Sequence, residues 1–173
     1  MLEVSPVRAF SDNYLWLIRA PGDRTGAVVV DPGEARPVEI ALEQKSLELR
    51  AILVTHHHPD HVGGVRALAA RYSAEVFGPA RESLPCNFRP LQGGAVVRLP
   101  SLGLEFDVMD VPGHTLGHIA YVRETPGAHW VFCGDTMFAG GCGRVFEGTP
   151  AQMADSLAKL AALPDDTKVF CAH

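Results

Sequence analysis

Seven consecutive residues, Thr55-His56-His57-His58-Pro59-Asp60-His61, constrain this chain more than any other stretch. They hold four of its eight histidines, in H-x-H-x-D-H spacing. His56 and His58 are two apart, which in extended backbone turns both rings to one side. Ala51 to Val54, just before, is a short apolar run that reads as a buried strand. A helix is predicted over 61–72, because Val62, Val65, Leu68, Ala69 and Tyr72 keep helical spacing. The expected local unit is therefore strand, donor-rich turn, helix, with Gly63-Gly64 allowing close backbone packing. Three imidazoles and a carboxylate so close together suit a borderline metal such as zinc. An incidental polar loop, or an adventitious nickel-type site on a His-rich surface, fits poorly with these flanks. His57 is out of phase with its neighbours and is expected to face solvent or a supporting partner.

Composition narrows what surrounds this unit. A chain of 173 residues is expected to form one domain, and can bury enough surface to need no disulfides. Apolar residues make up 47% and charged residues 20%, which excludes a disordered chain. The net charge of -5, with no basic run, argues against nucleic acid or an anionic membrane as partner. No apolar run approaches the ~18 residues of a membrane span. Met1 to Pro6 lacks the basic start and apolar stretch of a signal peptide, so a cytoplasmic location is expected. The cysteines at 86, 133, 142 and 171 form no CxxC and no framework, and are read as thiols in a reducing compartment.

Strands are predicted over 2–8, 14–19, 27–31, 51–54, 74–77, 95–99, 104–111, 119–123, 130–133 and 168–171. Turns are expected at Ser11-Asp12-Asn13 and Pro21-Gly22-Asp23. A helix is predicted over 37–47, with Val38, Ala41 and Leu42 on one face. The last helix has a capping box, Thr149 with Gln152, and Pro150 at its first position; Met153, Leu157, Leu160 and Ala161 line its face. Many strands with few helices suggest a layered α/β fold with helices outside sheets.

Further donors follow predicted strands. They are His114 after Val111-Pro112-Gly113, Asp135 after Cys133-Gly134, and His173 after Cys171-Ala172. Each is weak alone. Together with the cluster they make five histidines and two aspartates, too many for one tetrahedral ion and suited to two ions sharing a carboxylate and a water. Asp31 is either a plain turn residue or a hydrogen-bond partner for a ligand imidazole. His118 reads as structural and His129 as a surface residue. Gly140, Gly141 and Gly143 serve either turn geometry or close approach of the loop to a substrate.

These motifs resemble the metallo-β-lactamase superfamily and, within it, the glyoxalase II (hydroxyacylglutathione hydrolase) family. The likeness runs through Phe10 to Tyr14, Asp31-Pro32-Gly33, Thr55 to Gly64, Gly113 to His118, Gly134 to Phe138 and Gly141 to Thr149. It implies an α/β/β/α sandwich over 1–173. It implies one ion on His56, His58 and His114, a second on Asp60, His61 and His173, and Asp135 between them. The ions would be zinc, with iron or manganese suiting the same donors. The implied reaction is hydrolysis of S-(2-hydroxyacyl)glutathione to a 2-hydroxy acid and glutathione by hydroxide held on the metals, with Asp60 and Asp135 as catalytic carboxylates. This belongs to methylglyoxal detoxification, with a small glutathione thioester as the only partner of a monomer. Arg144, Phe146 and His173 fall where the family contacts substrate. Phe146 lacks the tyrosine hydroxyl of some members, and Met137 replaces the more usual leucine. The family continues past the last histidine into a helical region that this chain is expected to lack, and His173 is expected to fray. A mononuclear iron persulfide dioxygenase and an inactive metal-binding domain are the alternative readings.

Overall fold

The computed structural model describes residues 3–19, 23–125 and 128–173. The first predicted turn, at 11–13, lies within them. Leu2 of the first predicted strand, and Pro21 and Gly22 of the second turn, lie outside.

Hydrophobic patterning sorts the strands into two sheets. β1 (Glu3–Ala9) and β2 (Asn13–Arg19) form a hairpin in which Ala9 faces Asn13. β3 (Gly26–Val30) is buried along its whole length. Ala27 and Val29 face one core while Val28 and Val30 face another, the two-sided burial expected when both faces of a sheet are covered. α1 (Ala35–Lys45) then crosses over to β4 (Glu48–Leu53), which runs parallel to β3. α1 begins two residues earlier than its apolar spacing suggests and ends two earlier, because Ser46 takes a left-handed cap (φ 53°).

The helix predicted over 61–72 is two helices, α2 (Pro59–Val62) and α3 (Val65–Tyr72). The break falls at Gly63-Gly64. A Cβ on Gly64 would lie 2.6 Å from the Pro32 carbonyl oxygen, and one on Gly63 2.4 Å from that of Gly33. Backbone packs on backbone here, against the turn that ends β3. β5 (Glu75–Pro79) and the short edge strand β6 (Arg89–Leu91) complete the first sheet in the order β1-β2-β3-β4-β5-β6. No sequence expectation covered β6, and its Pro90 suits an edge.

The second sheet is ordered β13-β10-β9-β8-β7. β7 (Val96–Leu99), β8 (Leu104–Asp110), β9 (Ile119–Thr125) and β10 (Ala128–Gly134) are antiparallel. β13 (Lys168–Cys171) joins β10 in parallel. A two-residue pair, β11 (Met137–Phe138) and β12 (Gly141–Cys142), follows β10 and was also unforeseen. α4 (Pro150–Ala161) carries the expected capping box. Its buried face is Met153, Ser156 and Leu160; Leu157 is half-buried and Ala161 exposed, a rotation from the predicted stripe.

Three apolar cores result. α1 and α3 cover one face of the first sheet through Val38, Leu42, Val65 and Leu68. The two sheets meet through Val28, Val30, Leu53, Phe106, Tyr121 and Phe132. Leu160 of α4 packs on Val122 and Val131 of the second sheet. This is the α/β/β/α sandwich. Tyr121 crosses the middle, its hydroxyl donating to the Val54 carbonyl at 2.9 Å. Among the described residues no helix is long and apolar enough to cross a membrane.

Candidate metal centre

The donors gather at one rim of the sandwich because several strands end there. Asp31 ends β3, the Thr55–His61 turn follows β4, His114 lies in the turn after β8, Asp135 follows β10 and His173 follows β13. A polar site at strand ends draws precision from the scaffold and freedom from the loops.

Among the described residues four groupings of donors come close together, and two of them consist of predicted ligands alone. One ligand atom each from His56, His58 and His114 lies within 4.8 Å of the others. The same holds for Asp60, His61 and His173. Asp135 stands between the sets. Its Oδ1 is 3.3 Å from His61 Nε2 and 3.5 Å from His173 Nε2, while its Oδ2 is 3.3 Å from His114 Nε2. All seven predicted ligand residues therefore converge on one place.

Several neighbours fix the rings. Asp31, in a left-handed conformation (φ 50°), accepts from the Thr55 amide and hydroxyl, both at 2.7 Å. Its Oδ2 also lies 3.1 Å from His61 Nδ1, which turns His61 Nε2 toward Asp135. This settles the open reading of Asp31: it holds an imidazole. The Thr55 hydroxyl sits 3.0 Å from His56 Nδ1. His114 Nδ1 sits 2.7 Å from the Arg144 carbonyl. In each case one ring nitrogen is engaged and the other faces the centre, the usual arrangement around metal-binding histidines. Asn13 Nδ2 donates to Asp60 Oδ2 at 3.0 Å.

Thr55, Asn13 and Glu82 were not foreseen as site residues. Thr55 and Asn13 lay inside quoted motifs, but nothing in their spacing assigns them a partner. Glu82 had no signal at all.

Electrostatics separate the two sets. Burial holds His56 well below the ordinary imidazole range and also lowers His58 and His114, so the three-imidazole set is neutral at pH 7. Burial opposes the charge on His61 as well, but the carboxylates of Asp135 and Asp31, 3.3 and 3.1 Å from its ring nitrogens, outweigh it and raise the group to about 10. His173, its Nε2 3.6 Å away, holds Asp60 far below the ordinary carboxylate range, and the same approach raises His173.

The donor set fits a divalent cation on a structural ground. His56 Nε2, His61 Nε2 and Asp135 Oδ1 are buried atoms with no hydrogen-bond partner, and all three face the same space. Each such atom costs about 1–3 kcal/mol unless something satisfies it. Borderline and hard donors, imidazole and carboxylate, together suit zinc, iron or manganese.

His118 stays out of the donor set. Its Nε2 accepts from the Asp135 amide at 3.2 Å, and its Nδ1 lies 3.1 Å from the Ile119 carbonyl. It is structural, as its position suggested. His129 pairs with Asp166 at 2.6 Å on the surface. The four described cysteines are free thiols. Gly143 abuts the site, since a Cβ there would lie 1.9 Å from the Asp135 carbonyl oxygen, whereas Gly140 and Gly141 have open space.

The final segment is well held. Tyr14 N donates to the Ala172 carbonyl at 2.8 Å and Trp16 Nε1 to the Cys171 carbonyl at 2.9 Å. The expectation that His173 frays is thus corrected: β2 of the opposite sheet pins the backbone before it. Phe146, 60% exposed, stands edge-on to His58 and His114 with ring centroids 5.5 and 5.3 Å away. Arg144 places its guanidinium 5.5 Å over the Phe146 ring.

Comparison with known proteins agrees with this geometry. The model of the metallo-beta-lactamase superfamily matches residues 10–173. The chain belongs to that superfamily. It is 51% identical over 173 residues to hydroxyacylglutathione hydrolase of Nitrosomonas eutropha, covering 100% of this chain and 65% of that protein. It is 56% identical to hydroxyacylglutathione hydrolase of Albidiferax ferrireducens, covering 99% of this chain and 66% of that one. The chain thus spans about two thirds of the length of these relatives. Among solved structures, ETHE1 from Myxococcus xanthus superposes with a TM-score of 0.83 at 30% identity, covering 100% of this chain and 75% of that one. BLEG-1 B3 metallo-beta-lactamase has a TM-score of 0.83 at 24% identity, covering 100% and 91%, and shares the fold.

Proposed function

We propose that residues 1–173 form the metal-binding hydrolase domain of a hydroxyacylglutathione hydrolase, which cleaves S-(2-hydroxyacyl)glutathione with water to a 2-hydroxy acid and glutathione. Two findings support this: the hydrolase relatives that span the whole chain, and the double donor set. The single observation that carries it is Asp135, which turns one carboxylate oxygen to each set. In this reading His56, His58 and His114 hold one divalent ion, Asp60, His61 and His173 hold the other, and Asp135 lies between. The ions are zinc, or iron or manganese at the same donors. It acts as a monomer in the cytoplasm, whose reducing medium keeps the four cysteines as thiols.

A bound pair of such ions would lower the pKa of water to about 7 and stabilise charge developing on a carbonyl oxygen. The chain's own residues prepare the rest. Burial opposes ionisation of Asp60 and Asp135, but His61 and His173 beside them outweigh it and hold both below the ordinary carboxylate range, so both accept hydrogen bonds from water. Asn13 holds Asp60 in place. Phe146 walls the His58–His114 side and excludes water from it. Arg144, exposed beside it, offers a guanidinium to a carboxylate of the glutathione part. The thioester's sulfur leaves as a thiolate whose conjugate thiol has a pKa of about 8.5, so no side-chain acid is required.

The test combines metal analysis with S-D-lactoylglutathione hydrolysis, followed by thiol release, for the wild type and Asp135→Ala. Two ions per chain and hydrolysis, both impaired in the variant, are expected. One iron per chain with oxygen consumption would favour the dioxygenase instead. Hydrolysis and metal content unchanged by Asp135→Ala would refute both enzyme readings.

A further inference from the structure

His57 is the one histidine of the cluster that faces away from the donor atoms. Its Nδ1 lies 3.0 Å from Glu82 Oε2 and its Nε2 3.3 Å from Glu147 Oε1. Both carboxylates continue to the turn that carries His114. Glu82 Oε1 accepts from the Thr115 hydroxyl and from the Gly117 amide, the latter at 3.1 Å. Glu147 Oε2 accepts from the Leu116 amide at 2.9 Å.

Glu82 is the unusual member. It sits in the turn after β5, and its side chain is only 2% exposed. A carboxylate buried so deeply is costly unless its contacts compensate. Gly117 packs directly on its stem, since a Cβ there would come within 2.4 Å of Glu82 Cγ. The turn at 114–118 therefore rests on Glu82 by two hydrogen bonds and by steric contact, while the turn at 55–61 abuts it through His57, whose Nδ1 lies 3.0 Å from Glu82 Oε2, a buried oxygen with no hydrogen-bond partner. Those two turns carry His58 and His114, whose Nδ1 and Nε2 are 2.9 Å apart.

We propose that Glu82 is a positioning residue, which joins His57 to the Thr115–Gly117 turn and so sets the spacing of His58 and His114. It touches neither donor atoms nor substrate. This rests on the reading above that His58 and His114 hold an ion together. The out-of-phase His57 is thus the peg by which the cluster is fixed to a second loop, rather than a spare imidazole.

Cobalt(II) tests it, because its visible absorption reports coordination geometry and its affinity can be measured by competition with a chelator. The proteins compared are the wild type, Glu82→Ala, Glu82→Gln, Thr115→Val and His58→Ala, with thermal stability followed for each. Glu82→Ala is expected to weaken cobalt binding about tenfold and to alter the absorption bands, as loss of outer supports of metal ligands does. Glu82→Gln still accepts from Thr115 and Gly117 and is expected to recover most of the affinity. Thr115→Val removes one of these bonds and is expected to shift affinity in the same direction, which keeps the test valid if Glu82→Ala does not fold. Wild-type cobalt affinity and bands in folded Glu82→Ala, or in Thr115→Val, would overturn the proposal, leaving the ligand reading intact. If His58→Ala bound cobalt like the wild type, the ligand reading itself would fail, and this proposal with it.

Discussion

His118 is fully buried and held as a neutral ring, and this makes acid stability a quantitative test. Its Nε2 accepts from the Asp135 amide at 3.2 Å and its ring stacks on His56 at 4.6 Å. A proton on Nε2 would set two donors against each other in a space without water. Burial accordingly pulls its pKa from 6.5 down to about 3. The unfolded chain therefore takes up this proton first, so stability falls as pH drops below about 6.5 and levels off below about 3. At 1.36 kcal/mol for each tenfold change, the full effect is about 5 kcal/mol. Of that, about 2 kcal/mol is felt at pH 5, since unfolded His118 is then almost wholly charged. Urea unfolding of the metal-free protein at pH 7 and pH 5 measures the loss. His118→Gln can still accept from the Asp135 amide but does not titrate. Its stability at pH 7 is expected to be lower, and its loss between pH 7 and 5 about 2 kcal/mol smaller than the wild type's. Equal losses in the two proteins would refute the reasoning, as would an NMR titration of His118 near 6.5.

Three more outcomes follow from contacts described above. Gly143→Ala is expected to abolish thioester hydrolysis and metal binding, because its Cβ would meet the Asp135 carbonyl at 1.9 Å; Gly140→Ala, with open space, is expected to retain both within about twofold in the same assays. Thr55→Val removes the hydroxyl shared by Asp31 and His56, and is expected to cost about 1–3 kcal/mol in urea unfolding and to weaken metal binding in a chelator competition. Thr149→Ala breaks the capping box of α4 and is expected to cost about 1 kcal/mol of stability in urea unfolding.

The donors were legible because they obey local rules. H-x-H-x-D-H is a short-range pattern, and His114, Asp135 and His173 each follow a strand whose apolar run is plain. The layers were legible from many strand-like runs with few helices between them; that Val28 and Val30 face one core and Ala27 and Val29 the other is seen only in the structure. What escaped depends on contacts between distant segments. The break in the helix at Gly63-Gly64 comes from the β3 turn pressing on it, and the helical spacing of Val62 and Val65 conceals it. β6 is three residues long with a proline in it, so no periodicity could develop. Asn13 and Asp60 are 47 positions apart, and Glu82 and Thr115 are 33. No spacing rule joins such pairs. The predicted stripe on α4 holds for Met153 and Leu160 but misses Ser156, which is buried with its hydroxyl donating to the Pro112 carbonyl at 2.7 Å, so a polar residue occupies a core position.

The rim where the donors meet is also a seam between the two sheets, crossed there by hydrogen bonds from Ile119 N to the Thr55 carbonyl and from Tyr14 N to the Ala172 carbonyl. His56, Asp60 and His61 belong to one sheet, His114, Asp135 and His173 to the other. A cation gripped there would act as a rivet across the seam, fastening halves that elsewhere adhere only by apolar contact and a few hydrogen bonds. Pulling either sheet loose would then mean surrendering the ion, and the cost of opening would rise with metal concentration.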